Sequence, residues 1–224
     1  WLMIVDSRAT TAVPCSSAWP TSGEITIDGV VTDRPYRAPD GHNGIVVLPA
    51  GVRARPVTPA DATGLQEFHE RLSGRSVYLR YLAPKPRLSD SEALRLTTVD
   101  HGDREAYVAM VGEQIIAIGR YERLPQGRAG AGAQAEVAFV VQDEYQGQGI
   151  GSALLALLAE AARSRGIDQF VAEVSPENGR MLACFRHWPG GCALSHASGS
   201  VHAVLDLAPA GAMARPDGSS EEQQ

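Results

Sequence analysis

Three glycines stand at alternate positions, Gly147, Gly149 and Gly151, between the apolar run Val137 to Val141 and a leucine-rich run that holds Leu154, Leu155, Leu157 and Leu158. A fixed glycine loses more backbone entropy than any other residue, so this spacing calls for a physical reason. A strand, a glycine loop and a helix in that order offer unpaired N–H groups and the positive end of a helix dipole. Glycines also let a bulky anion approach the backbone closely. The plainer reading is a tight turn whose glycines answer to sterics alone. Two nucleotide motifs are disfavoured. A P-loop needs a lysine after its last glycine, and none follows here. A GxGxxG fingerprint puts Ser152 or Leu154 where its third glycine belongs.

Glu136 opens the apolar run that leads into the glycines. The hydrophobic residues after it, Val137 to Val141, are expected to disfavour its charged form and move it toward a proton acceptor's working range. The alternative is a glutamate that faces solvent or is paired structurally at a strand start.

Composition narrows the classes. The chain has 224 residues, 44% of them hydrophobic, enough for one ordinary core. A net charge of −6 with no Lys/Arg run argues against a nucleic-acid partner. No apolar run approaches the roughly 18 residues of a membrane span. Cys15, Cys184 and Cys192 make neither a disulfide framework nor a CxxC metal site, so no metal is expected and a reducing cytoplasm fits best. His187, His196 and His202 read as core or surface histidines, and Cys184 as core. Arg71, Arg75 and Arg80 are expected to include ion pairs, with one open to an acidic partner.

The elements that must position these residues follow from periodicity. Residues 1–50 are rich in Pro, Gly, Ser and Thr and read as a loosely structured extension, with strand-like runs at 24–31 and 44–48. Residues 209–224 have little to bury and read as a disordered tail. Between them, 52–57 alternates as a strand, and Thr58-Pro59 starts a helix with Leu65, Phe68 and Leu72 on one face. Ser89 to Glu92 is a capping box. A hairpin is expected over 107–121 and a strand over 135–141. A helix from Gly149 to Arg165, a strand at 170–174, a helix at 178–187 and a strand at 201–207 complete one α+β domain over 51–208. Its sheet is mixed and flanked by helices.

Gln146-Gly147-Gln148-Gly149-Ile150-Gly151 resembles the [QR]-x-x-G-x-[GA] signature of the GNAT superfamily of N-acetyltransferases, and the order of elements resembles its mostly antiparallel, twisted sheet. Residues 71–82, 96–112, 135–141 and 170–182 are similar to Pat-type actinobacterial protein lysine acetyltransferases. In those proteins the domain is often fused to a regulatory module such as a cyclic-nucleotide-binding domain. Residues 1–50 are too short and loop-rich for one.

The resemblance implies that backbone amides of Gln146, Gly147, Gln148, Gly149, Ile150, Gly151 and Ser152 hold the pyrophosphate of acetyl-CoA. Asn178 would contact CoA at the start of the next helix. Glu136 would be the base that takes the proton from an amine, which has a pKa near 10.4 in lysine. An N–H of Phe139 or Val140 would serve the carbonyl oxygen in the transition state, and Val141 would join them along the pantetheine arm. The sheet should part beside this strand to admit the arm. Two departures stand out. Phe185 occupies the position where many members carry a tyrosine acid near the leaving sulfur, so water, an unprotonated thiolate or Tyr145 must take that role. His187-Trp188-Pro189-Gly190-Gly191 replaces a compact Gly-Phe. The acceptor would be a protein lysine, with acyl-CoA synthetases suggested by the resemblance. A small-molecule amine and a non-catalytic CoA-binding module are the alternatives.

Overall fold

The computed structural model describes residues 46–125, 132–197 and 199–207, with a short antiparallel pair, Thr26–Ile27 and Val30–Val31. Most of the expected N-terminal extension and the whole expected tail at 209–224 lie outside the described residues. Val46–Val47 (β1) pairs with Arg53–Pro56 (β2), and Leu48 is buried between them, so the sheet begins within the segment expected as extension.

Three helices follow: α1 Ala62–Arg71, α2 Gly74–Tyr81 and α3 Asp90–Thr97. The expected capping box is present, with the Ser89 hydroxyl accepting from the Glu92 amide and Glu92 accepting from the Ser89 amide. Next come β3 Arg104–Val111, β4 Gln114–Arg123 and β5 Gln134–Val141, an antiparallel meander. Then α4 Ile150–Ser164, β6 Gln169–Val174, α5 Gly179–Arg186, β7 Cys192–Ala197 and β8 Ser200–Asp206 complete the fold.

The strand order is β1-β2-β3-β4-β5-β6-β8-β7. Neighbours run antiparallel except β5 and β6, which run parallel across the α4 crossover. Strand periodicity splits the core in two. Ala106 and Val108 of β3 pack with Leu65, Phe68, Val77 and Ala93 of α1–α3. Tyr107 and Ala109 point the other way, into the cluster of Leu154, Leu155, Leu158, Leu182 and Phe185 from α4 and α5. Each fully buried Leu, Val or Phe among them contributes about 1.5–3 kcal/mol by leaving water. Helix α4 keeps its place because Leu154, Leu155, Leu158, Ala159 and Ala162 form one apolar stripe.

Two elements depart from expectation. Helix α2 is absent from the periodic reading, and Ser73 caps it by accepting from the Ser76 amide at 3.1 Å. Strand β7 is also additional, an edge strand paired only with β8. The unusual 187–191 segment is the turn that feeds it. There Trp188 is buried and its indole N–H donates to the Asp206 carbonyl at 2.7 Å. Among the described residues no helix is long and apolar enough to cross a membrane, and no three His, Cys, Asp or Glu side chains gather as a metal would require.

Candidate active site

β5 is shared unequally between its neighbours. It pairs with β4 over Ala135 to Val141 but with β6 only over Gln134, Ala135 and Glu136. Beyond the Glu136–Val171 pair the two strands part, and β6 goes on pairing with β8 to Val174. The sheet therefore opens as a V with Glu136 at its vertex.

The register says which backbone groups line this opening. Gln142 N–H donates to Ile116 O at 2.8 Å and Leu124 N–H to Gln134 O at 2.8 Å, so even-numbered residues of β5 bond β4. Bonding alternates along an antiparallel strand, which turns the N–H groups of Val137, Phe139 and Val141 toward the opening. Val140, one of two candidates for an oxyanion donor, has its N–H committed to β4. Phe139 is the one whose N–H faces the opening.

Side chains alternate too. Phe139 is directed into the α4–α5 core, where its ring meets Phe185 edge to face at 6.1 Å. Phe185, expected beside the leaving sulfur, is 1% exposed and belongs to that core. Glu136, Ala138 and Val140 occupy the opposite face, toward α1–α3. The expected apolar surround of Glu136 is not found: Val137 and Phe139 point away from it, and Glu136 is exposed. Among the described residues it has no hydrogen-bond or ion-pair partner. Farther along the same face lies a small cleft lined by Ala138, Val140, Ile118, Arg120, Arg80 and Tyr81 among others. Directly across the strand pair from Glu136 is Glu122, which Arg120 holds at 2.7 Å. Sequence reading passed over Arg120, Glu122 and Tyr81. The signal was present in β4, where Arg120 and Glu122 stand on alternate residues after the apolar run Ile115 to Gly119.

The glycine loop closes the wide end of the V. Gly147 and Gly149 have φ of 77° and 79°, and Gly149 is the N-cap of α4. Gly151 packs on Phe139, where an added Cβ would lie 3.1 Å from the ring, so a larger residue there would have to push the ring back by a few tenths of an ångström. Ile150 begins α4 with its side chain in the core. The Gln148 amide donates to Glu144 O, and the Ser152 hydroxyl lies 3.4 Å from the Cys184 sulfur. Burial pushes the Cys184 thiol up, against the pull of Ser152, so it stays protonated. Tyr145 packs against the α4-side core.

Gln146 is the hub of the loop. Its amide N–H groups donate to Val141 O at 2.9 Å and to the Ser76 hydroxyl at 3.1 Å, and its oxygen accepts from Arg180 at 2.7 Å. This brings α2, the end of β5 and the start of α5 to one place. Asn178 stands there as N-cap of α5, its Oδ1 accepting from the Met181 amide. Asp143 completes the clasp by accepting from the Ser73 amide, the Ser73 hydroxyl and the Ser76 hydroxyl. Although partial burial pushes it up, these donors hold its carboxyl below the usual range. Asp143→Ala removes all three bonds. It is expected to lower stability by about 1–2 kcal/mol in urea unfolding and to weaken ligand binding at the loop. An unchanged midpoint would show that the clasp carries no stability.

A helix-flanked sheet that parts beside a glycine-capped helix defines an acyltransferase of the GNAT type. The chain matches the acetyltransferase (GNAT) family over residues 68–188 and belongs to it. It is 34% identical over 143 residues to the acetyltransferase Pat of Mycolicibacterium smegmatis, an alignment covering 60% of this chain and 41% of that protein. The GNAT domain of the S. lividans PAT matches at 39% identity with a TM-score of 0.66, over 76% of this chain and 99% of that one. A phosphinothricin acetyltransferase from Sinorhizobium meliloti, solved in complex with AcCoA, shares the fold at 20% identity and a TM-score of 0.57, over 75% of this chain and 94% of that one. The likeness is thus of Pat type, and the chain spans about two fifths of the curated Pat protein it matches.

Proposed function

We propose that the chain transfers the acetyl group of acetyl-CoA to the ε-amine of a protein lysine. The observation that carries this reading is the V between β5 and β6, which opens onto the N-terminus of α4 and has Glu136 at its vertex. The residues fit the co-substrate. Amides from Gln146 to Ser152 provide donors and a helix dipole for its pyrophosphate. Phe139, with Val137 and Val141, offers strand-like N–H groups to the arm, as a pairing strand would. Asn178 lies at the same end. Val140 and Phe185 contribute through packing, since the N–H of one and the ring of the other are turned away from the opening.

Glu136 accepts the proton of the incoming amine, whose lone pair forms the C–N bond as the C–S bond breaks. The Phe139 N–H stabilises the oxygen that gains charge. Phe185 has no proton to give, and a thiol pKa near 8.5 lets the sulfur leave as thiolate or take a proton from water. Direct attack is favoured over an acyl-enzyme because Cys184 is held as the thiol. The exposure of Glu136 favours a protein acceptor, because its face is open to a large partner rather than enclosed around a small amine. Acyl-CoA synthetases are the acceptors the Pat likeness suggests. The thiol of Cys184 suits a reducing cytoplasm.

Incubation with labelled acetyl-CoA, a panel of acyl-CoA synthetases and a panel of small amines, read by mass spectrometry, tests the reading. Label on protein lysines is the expected result. Label on small amines alone, or on nothing, overturns it.

A further inference from the structure

Of the 20 basic residues in these 224 positions, nineteen are arginines and one, Lys85, is a lysine. A guanidinium stays protonated and offers no lone pair to a thioester. Lys85 therefore carries the one ε-amine in this sequence on which lysine chemistry could act. It lies in the connection between α2 and α3. Residues 84–89 are neither helix nor strand, and Ala83, Pro84, Pro86 and Arg87 are exposed. Pro86 biases Lys85 toward extended backbone, and Pro84 has no N–H to give to a helix or sheet. The amine thus stands on the kind of open, extended segment that a protein acceptor presents.

That amine is held. Lys85 Nζ donates to Glu92 Oε1 at 2.5 Å and lies 5.5 Å from the centre of the Tyr81 ring. The His69 Nε2–H donates to the Lys85 carbonyl at 2.8 Å. One residue so joins α1, α2 and α3. Glu92 is ionised at neutral pH, because the Lys85 ammonium, then the Ser89 amide and hydroxyl, hold its carboxyl down at about 2. An ammonium bonded to a carboxylate has no lone pair with which to attack. The pair is nevertheless open to water, with side chains 24% exposed at Lys85 and 39% at Glu92, and surface pairs of this kind are weak enough to open.

We propose that Lys85 is a self-acetylation site and that the Glu92 carboxylate is its guard. The inference rests on the lysine-transfer reading above and adds one substrate, the chain itself. When the pair opens, the Lys85 amine attacks the thioester carbonyl of acetyl-CoA. The C–N bond forms as the C–S bond breaks, the amine's proton passes to Glu136, and CoA leaves as thiolate. The product is a neutral amide, so Glu92 and Tyr81 lose the cation that ties α2 to α3. The full chain, Glu92→Gln, Lys85→Arg and Glu136→Gln are each incubated with labelled acetyl-CoA beside the panel of acyl-CoA synthetases, and label is located by tandem mass spectrometry. Gln at 92 keeps the capping-box role of that position. Glu92→Gln is expected to label Lys85 at least about tenfold faster than the wild type, the order of one charge-assisted contact. Lys85→Arg should carry no ε-acetyl and still label the panel, and Glu136→Gln should label Lys85 more slowly. A bare Lys85 in Glu92→Gln beside a labelled panel, or label on Lys85 that is as fast in Glu136→Gln, overturns self-acetylation. Equal rates in the wild type and Glu92→Gln overturn the guard. No label on Lys85 or on the panel while acetyl-CoA still binds by calorimetry overturns the lysine reading itself.

Discussion

Glu136→Gln is expected to lower kcat by about 10²–10⁴-fold, the range of a general base, while calorimetric affinity for acetyl-CoA keeps its wild-type value. The amide is isosteric with the carboxylate, so the vertex of the V keeps its shape. Affinity is spared because the groups proposed to bind CoA are elsewhere, in the 146–152 backbone and on the odd-numbered N–H groups of β5. Among the described residues exposed Glu136 also has no ion-pair or hydrogen-bond partner to lose, so thermal unfolding should barely change. The pH profile separates a base from a structural role. Without an internal acceptor the reaction depends on amines that are already neutral, so the variant's rate should climb as pH rises toward the lysine range near 10.4. A wild-type rate at neutral pH would remove Glu136 from the mechanism. Glu122, across the strand pair and bound to Arg120, would then be the carboxylate to examine.

Gly149→Val is expected to abolish measurable acetyl-CoA binding. Gly149 sits at φ 79° and ψ −6° as N-cap of α4. A β-branched residue held there is strained by about 1–3 kcal/mol. Its Cβ would also lie 3.4 Å from the Pro49 ring. The loop relieves this by rotating, which turns away the N–H groups that begin α4. Gly147 offers a graded comparison. It has a similar φ of 77°, but an added Cβ there meets nothing within 4 Å, so Gly147→Ala should weaken binding less. Circular dichroism of Gly149→Val should still show the helices, since the α4 stripe is untouched. Normal affinity by calorimetry in that variant would reject the loop as the anion site.

Much of this was legible in local pattern. The alternate glycines, the apolar strand before them and the leucine stripe after them are short-range signals. So are the Ser89–Glu92 capping box and the 104–123 hairpin. Other elements were hidden for physical reasons. Helix α2 begins with Gly74 and is held by a serine cap and the Asp143 clasp, so it depends on residues about seventy positions away. Edge strand β7 shows little apolar alternation because neither of its faces is fully buried over Cys192 to His196. At Glu136 proximity along the chain misled. Val137 and Phe139 are its neighbours in sequence, yet a strand's period of two sends them to the other face.

By itself, the sequence determined the ingredients: a glycine-capped helix after an apolar strand, a carboxylate at the strand's head, and the likeness to Pat-type acetyltransferases that these residues carry. Local propensity and spacing are enough for that, because each signal spans only a few residues. Only the tertiary structure decided that β5 leaves β6 after Glu136, that Phe139 rather than Val140 turns its N–H to the opening, that Phe185 is core, and that Glu122, held by Arg120, stands across the strand pair from Glu136. Those outcomes depend on which strand pairs with which and in what register, and pairing over such distances is a property of the packed sheet.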